Sequence, residues 1–232
     1  MPKSVLLFGS IGTLVETSDI QRRAYNQAMR ESGLSWHWDE AVYRELLTQS
    51  GGRDRLSMLA RATGHELDEA AVARIHLRKT ELACAQVVAQ QPAPRPGVAA
   101  LMALAADRGW RCGFVTSTER ANIDAILALG GGIAADRFDV VIGRGDVVHG
   151  KPHPEAFCTA LARLGVDASA AIAIEDTATS VMAAVRAGIT TVAVPGANSL
   201  AQDFWQADLV LPELADATGQ LEPRLLALIT AA

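Results

Sequence analysis

Cysteine is scarce in this sequence: Cys84, Cys112 and Cys158 are the only three among 232 residues, and none shares a C-x-x-C spacing. An odd, scattered set reads as buried thiols in a reducing compartment, not as a disulfide framework or a thiolate zinc site. Long apolar runs are absent too. Nothing approaches the ~20 residues of a membrane span, and the run at residues 5–8 is too short for the apolar region of a signal peptide. The expected location is therefore cytoplasmic, with no membrane partner. Basic charge is also in deficit, with 21 Lys and Arg against 26 Asp and Glu and a formal charge of −5. That balance excludes general nucleic-acid binding, which needs a basic stripe. It leaves room for a small anion held by one or two local cations.

What the sequence does have is apolar content, at 50% of residues, enough for a core without covalent staples at this length. Short apolar runs at 5–8, 112–115, 140–142, 171–174 and 191–194, with a weaker one at 209–211, alternate with helical patterns at 98–106, 122–129, 155–164 and 180–187. Continuously apolar strands alternating with helices specify a parallel sheet covered on both faces. Residues 17–90 break this rhythm with four helical patterns and no strand, at 20–31, 41–49, 53–62 and 67–86. The proline-rich stretch 91–97 then returns the chain, extended because each proline disfavours helix before it. The expected organisation is an α/β core from residues 1–16 and 91–232, with a helical domain of residues 17–90 inserted after the first strand.

Ligands of open parallel sheets gather at the C-terminal ends of the strands, so the residues after each apolar run carry the chemistry. They are Gly9-Ser10-Ile11-Gly12-Thr13-Leu14, Thr116-Ser117-Thr118, Gly150-Lys151-Pro152 and Glu175-Asp176-Thr177. Hydroxyls at Thr116 and Ser117, helix N-termini and the ammonium of Lys151 suit a phosphate group. The carboxylates of Glu175 and Asp176 suit a hard cation such as magnesium. Gly9-x-x-Gly12 after a strand also fits, weakly, a Rossmann dinucleotide turn; the third glycine and the later acid of that motif are missing.

Four motifs in order resemble the haloacid dehalogenase superfamily of phosphohydrolases over nearly the whole chain. They are Gly12-Thr13-Leu14-Val15-Glu16-Thr17, Phe114-Val115-Thr116-Ser117, Lys151-Pro152-His153-Pro154-Glu155 and Ile172-Ala173-Ile174-Glu175-Asp176-Thr177. The stretches Arg22-Arg23-Ala24-Tyr25-Asn26, Tyr43-Arg44-Glu45-Leu46-Leu47, Gly51-Gly52-Arg53-Asp54-Arg55 and Arg95-Pro96-Gly97 are similar to its CbbY-like, β-phosphoglucomutase-like group of sugar-phosphate enzymes. The resemblance implies a HAD-like Rossmannoid core, a parallel sheet flanked by helices, with a small all-α cap. It implies a phosphorylated small molecule bound by Thr116, Ser117 and Lys151, and a metal position faced by Glu175 and Asp176. Glu16, Gln21, Tyr43, Arg44, Arg53 and Arg55 are the cap-side candidates; two or three arginines there would read a second phosphate bidentately.

The same resemblance shows what is missing. The family's first motif has a nucleophilic, magnesium-binding Asp and an acid–base Asp, and the matching positions here are Gly9 and Ile11. Gln21 stands where relatives carry a hinge histidine. An intact family site, with three aspartates, a glutamate, a lysine and magnesium, has formal charge minus one; Glu175, Asp176 and Lys151 alone reach the same value. The expectation is weak or absent magnesium, loss of the aspartyl-phosphate route, and retention of a phosphorylated ligand or replacement by a protein partner. The competing expectation is phosphohydrolysis by another route. Ser10, one residue from the nucleophile position, is expected to point away from it by strand alternation. Trp36 and Trp38 are expected to pack the insert. His37, His65, His76, His149 and His153 are expected to sit scattered at the surface.

Overall fold

In a computed structural model, which describes residues 3–48, 51–64, 67–130 and 132–230, the chain forms a six-stranded, all-parallel sheet. The strands are β1 (Val5–Phe8), β2 (Arg111–Val115), β3 (Val140–Ile142), β4 (Ala171–Glu175), β5 (Thr190–Ala193) and β6 (Leu209–Val210), in the spatial order β3-β2-β1-β4-β5-β6. β1 therefore lies between β2 and β4, in register from Val5 beside Arg111 and Ala171 to Phe8 beside Phe114 and Ile174.

The two-residue period of a strand explains the layers. Leu6, Phe8, Phe114, Ile172 and Ile174 face one way and pack on α5 (Val98–Asp107), α6 (Arg120–Leu127) and the C-terminal α9 (Pro223–Thr230). Val5, Leu7, Val115, Ala171 and Ala173 face the other way, onto α7 (Glu155–Leu164) and α8 (Ala178–Arg186). Burial on both faces is why these strands read as unbroken apolar runs. α9 has no counterpart in the sequence reading, and no described helix is long and apolar enough to cross a membrane.

Between β1 and α5 run α1 (Ser18–Glu31), α2 (Glu40–Leu46), α3 (Gly52–Ala62) and α4 (Glu69–Gln90). Asp39 accepts the Val42 amide at 2.8 Å and Asp68 the Ala71 amide at 2.6 Å, capping α2 and α4. These helices gather around their own cluster, which includes Tyr25, Met29, Trp38, Tyr43, Leu56 and Ile75. Trp38, 1% exposed, and Trp36 pack there as expected. α4 runs four residues past the expected residue 86, and α2 stops at Leu46; residue 49, the expected end, lies outside the described residues. A smaller cluster of Ile20, Ala24, Ala83 and Val87 with Ala125 of α6 joins this helical unit to the sheet side.

Candidate functional site

The C-terminal ends of β1, β2 and β4 open on a cleft of about 480 Å³, with the sheet as its floor and the inserted helices as its roof. The turn after β1 is tight: the carbonyl of Ser10 accepts the amides of Thr13, Leu14 and Val15. Gly12 has φ +84°, and a Cβ there would collide with Asp176 Oδ2 at 2.0 Å, so only glycine fits. Arg95 fixes the turn from below, donating to the carbonyls of Gly12 and Val194 and pairing with Glu213 at 2.9 Å. The turn leads into α1 of the insert and not into a crossover helix to the next strand, so the dinucleotide arrangement is not the one adopted.

At Gly9 the floor departs from an open site. The Glu175 carboxylate lies so close that a Cβ on Gly9 would be 2.3 Å from its Oε2 and 2.6 Å from Thr13 Oγ1. Glu175 is 1% exposed and forms a short ion pair with Lys151, whose Nζ also donates to the Val115 carbonyl at 3.0 Å. Burial pushes the Glu175 carboxyl up, opposed by the adjacent Lys151 ammonium, which favours the charged form. Asp176 accepts from Thr13 Oγ1 at 3.0 Å. Burial, and then the neighbouring Glu175 charge, raise its pKa to about 7. Ile11 lines the cleft and packs against the sheet's apolar cluster.

Thr116 is held by its amide on the Ile142 carbonyl, and its hydroxyl lies 2.6 Å from Ser10 Oγ and 3.1 Å from the Thr118 amide. This corrects the expectation for Ser10. β1 ends at Phe8, so alternation no longer governs residue 10, and its side chain turns into the cleft onto Thr116. Ser117 and Thr118 line the same end.

The roof contributes different chemistry. Arg55 reaches Tyr43 Oη at 3.4 Å with its guanidinium 5.8 Å from that ring centroid. Lys79 Nζ lies 4.7 Å from the Tyr25 ring centroid, and no described carboxylate pairs with it. Burial, reinforced by Arg55, lowers the Lys79 pKa to about 7. His76 is buried and held neutral, its pKa depressed to about 3 by burial and then by Lys79, Arg53 and Arg55. Tyr25 Oη and Gln21 Oε1 are buried in the cleft wall with no hydrogen-bond partner among the described residues. Gln21 Nε2 makes only a long 3.5 Å bond to Asn122.

Glu16, Gln21, Tyr43, Arg53 and Arg55 all line the cleft. Glu16 is also tied to the first turn of α1 through the Ser18 amide at 2.7 Å. Arg53 bridges roof to floor through Glu119 at 3.5 Å, and Thr179 donates to the Thr48 carbonyl across the same gap at 2.9 Å. Arg44 is not brought in. Tyr43 and Leu46 form the buried side of α2, and Arg44, one residue on, points to solvent. Lys79, Tyr25, His76 and Asn122 are cleft residues that the sequence reading passed over. For Lys79 a signal existed: it falls four residues after Ile75 and four before Ala83, a charge on an apolar stripe. Of the histidines, His37, His149 and His153 are at the surface as expected, and His76 is not. His76 is buried, His149 and His153 stack at 4.6 Å, His37 is exposed, and His65 lies outside the described residues.

A parallel sheet with a phosphate-suited Thr116, Lys151 and an acid pair at its strand ends, under an inserted helical roof, defines a class, and the match is direct: residues 5–188 fit the haloacid dehalogenase-like hydrolase model, and the chain belongs to that family. Hydrolases of this family generally use magnesium. Within it the chain is similar to CbbY. It is 34% identical to protein CbbY of Rhodobacter capsulatus over 97% of this chain and all of that one. It is 38% identical to the plasmid CbbY of Cupriavidus necator over 91% of this chain and 85% of that one. A crystal structure of a CbbY variant from Rhodobacter sphaeroides, in complex with xylulose 1,5-bisphosphate, superposes with TM-score 0.86 at 33% identity, covering 95% of this chain and 100% of that one. The chain is also 30% identical to validoxylamine A 7'-phosphate phosphatase of Streptomyces hygroscopicus subsp. limoneus over 91% of this chain and 94% of that one.

Proposed function

We propose that this chain binds a sugar bisphosphate between floor and roof and does not hydrolyse it by the aspartyl-phosphate route. The observation that carries the reading is the Glu175 carboxylate packed against Gly9, in the space where a side chain at residue 9 would begin. No nucleophile can occupy that position without displacing it, and Ile11 has no proton to give or take. The anion-binding groups remain. Lys151 uses two of its three donors on Glu175 and Val115 and keeps one for the cleft. Thr116 and Ser117 complete one anion subsite; Arg53, Arg55 and Lys79 supply a second on the roof, which acts as the cap of residues 17–90. Two anion subsites across one cleft match the xylulose bisphosphate seen with the CbbY relative.

The donor set does not fit magnesium. That ion needs several oxygens in near-octahedral array, whereas residue 9 offers none, Glu175 is committed to Lys151 and Asp176 alone is left. Protonation of Asp176, with its pKa near 7, moves the floor's formal charge from minus one toward zero and favours a metal-free anion. The test is calorimetric titration of xylulose 1,5-bisphosphate in EDTA, paired with a phosphate-release assay in magnesium. Saturable binding without turnover is expected, with turnover appearing in the Gly9→Asp/Ile11→Asp double variant. Turnover well above buffer by the unaltered chain, or no binding at all, overturns the proposal.

A further inference from the structure

Outside the cleft, the loop that delivers Lys151 folds back on itself before α7. It runs through Gly150, Lys151 and Pro152, and it brings His149, His153 and Glu155 together. One donor atom from each of these three residues lies within 4.8 Å of the other two. His149 Nδ1 is 2.8 Å from Glu155 Oε2, and the two imidazole rings stack 4.6 Å apart at 34°. We propose that His149, His153 and Glu155 form a surface site for a borderline divalent transition metal of the zinc class.

Three features support a site over a chance encounter of exposed side chains. The carboxylate is oriented before any ion arrives: Glu155 Oε1 accepts the Val148 amide at 2.7 Å and Oε2 accepts the His149 amide at 2.9 Å. Those two amides, with the His149 side chain, hold the Glu155 carboxyl down at about 2, so it is an anion at any working pH. Both imidazoles are exposed and already face Glu155: His149 Nδ1 through its contact with Oε2, and His153 Nδ1 by accepting the Glu155 amide at 3.3 Å, which leaves each Nε2 open to solvent. Zinc–ligand distances of about 2.0–2.2 Å place tetrahedral ligand atoms roughly 3.3–3.5 Å apart. Contraction from 4.8 Å is within the reach of histidine rotamers and asks nothing of the backbone.

Donor chemistry selects the ion. Two imidazoles and one carboxylate suit zinc, cobalt or nickel, whereas magnesium takes oxygen donors and keeps its waters. Three protein ligands, two on the exposed loop and Glu155 at the start of α7, leave the remaining position to water. Lys151 lies two residues from each histidine, so a bound ion braces the loop on both sides of the lysine that reaches Val115 and Glu175. The site thus lies outside the cleft yet is joined to its floor by a few residues of backbone.

The test uses the full chain with cobalt(II) chloride followed by visible absorption and zinc chloride followed by calorimetry. One ion per chain is expected, with a low-coordinate cobalt spectrum. His149→Ala and His153→Ala should each weaken binding by at least about tenfold, the scale set by losing even an outer partner of a metal ligand. Asp176→Asn, on the cleft floor, should leave affinity unchanged. Both histidines are solvent-exposed, so the single variants are expected to keep the parent melting temperature. Absence of saturable binding, affinity that survives both histidine replacements, or affinity lost on Asp176→Asn overturns the proposal.

Discussion

The floor and the roof of the cleft treat their buried charges in opposite ways. On the floor, Lys151 is paired with Glu175, Asp176 takes the Thr13 hydroxyl, and Ser10 and Thr116 satisfy each other. On the roof, Lys79 lies over the face of Tyr25 with no carboxylate paired to it among the described residues, and the polar atoms Tyr25 Oη and Gln21 Oε1 have no described partner. Buried polar groups without partners cost stability, and such groups persist where a ligand completes them. On the floor, Glu175 lies beside Gly9 and Ile11 joins the apolar cluster. The roof remains incomplete. The two halves of the cleft thus differ in how completely their buried polar groups are satisfied.

The sharpest way to break this contrast is to remove the floor's cation. Lys151→Met leaves Glu175 buried at 1% exposure with no countercharge, and breaking a buried pair from one side costs about 3–5 kcal/mol. Urea denaturation should show that loss, shrinking as the pH falls and Glu175 takes up a proton. The Lys151→Met/Glu175→Gln double variant should recover most of it, because removing both charges leaves nothing unpaired. Equal losses in the single and double variants would mean that the pair does not hold the floor.

The mirror experiment on the roof has the opposite sign. Lys79 is buried with no carboxylate paired to it among the described residues, so Lys79→Met should stabilise the free protein by about 1–3 kcal/mol while weakening sugar-bisphosphate binding. The pH dependence checks the cause. Lys79 has a folded pKa of about 7 against 10.5 for the free side chain, so the unfolded chain binds more protons between those values and stability rises with pH there. The penalty is full below about 7, and the gap between variant and parent should close as the pH approaches 10.5. Thermal melts at several pH values measure it. A variant less stable than its parent at neutral pH would show that Lys79 is satisfied within the fold and that floor and roof do not differ.

How far this contrast was legible in the sequence follows from what each feature depends on. The sheet was legible because strands buried on both faces must be apolar throughout, as residues 5–8 and 171–174 are. Gly9 and Ile11 were legible because position in a motif is a property of the chain alone, and so was the convergence of Thr116, Lys151 and Asp176 on the strand ends. What occupies the space beside Gly9 was not. Glu175 reads as a metal-facing acid in its motif, and its commitment to Lys151 and to the space beside Gly9 depends on contacts across 24 and 166 residues. Ser10 was misread because β1 ends two residues before it. Arg44 and Lys79 were exchanged in importance: a charge next to an aromatic on a short helix drew notice, while one on the apolar stripe of a long helix did not. The pairing of His149 with His153 has no helical or strand periodicity behind it. It arises from the turn at residues 150–154.

The smallest expected effect is a pH profile, and it sharpens the comparison because floor and roof contribute to it separately. Sulfate serves as the probe, since its own charge is constant across the neutral range. As pH falls through about 7, Asp176 on the floor becomes neutral and Lys79 on the roof becomes charged. Both changes make the cleft more positive, so sulfate should bind more tightly below neutrality than above it. One unit charge a few ångströms from a bound anion in a partly screened cleft is worth on the order of 1 kcal/mol, about fivefold in affinity. Asp176→Asn should remove the floor's share of the slope and Lys79→Met the roof's share, each leaving the other in place. Calorimetric titrations with sulfate above and below neutral pH read the two contributions. A flat profile in the unaltered chain would mean that neither group titrates against the ligand. A slope lost entirely with Lys79→Met and untouched by Asp176→Asn would place anion recognition on the roof alone, with the floor reduced to a structural plug.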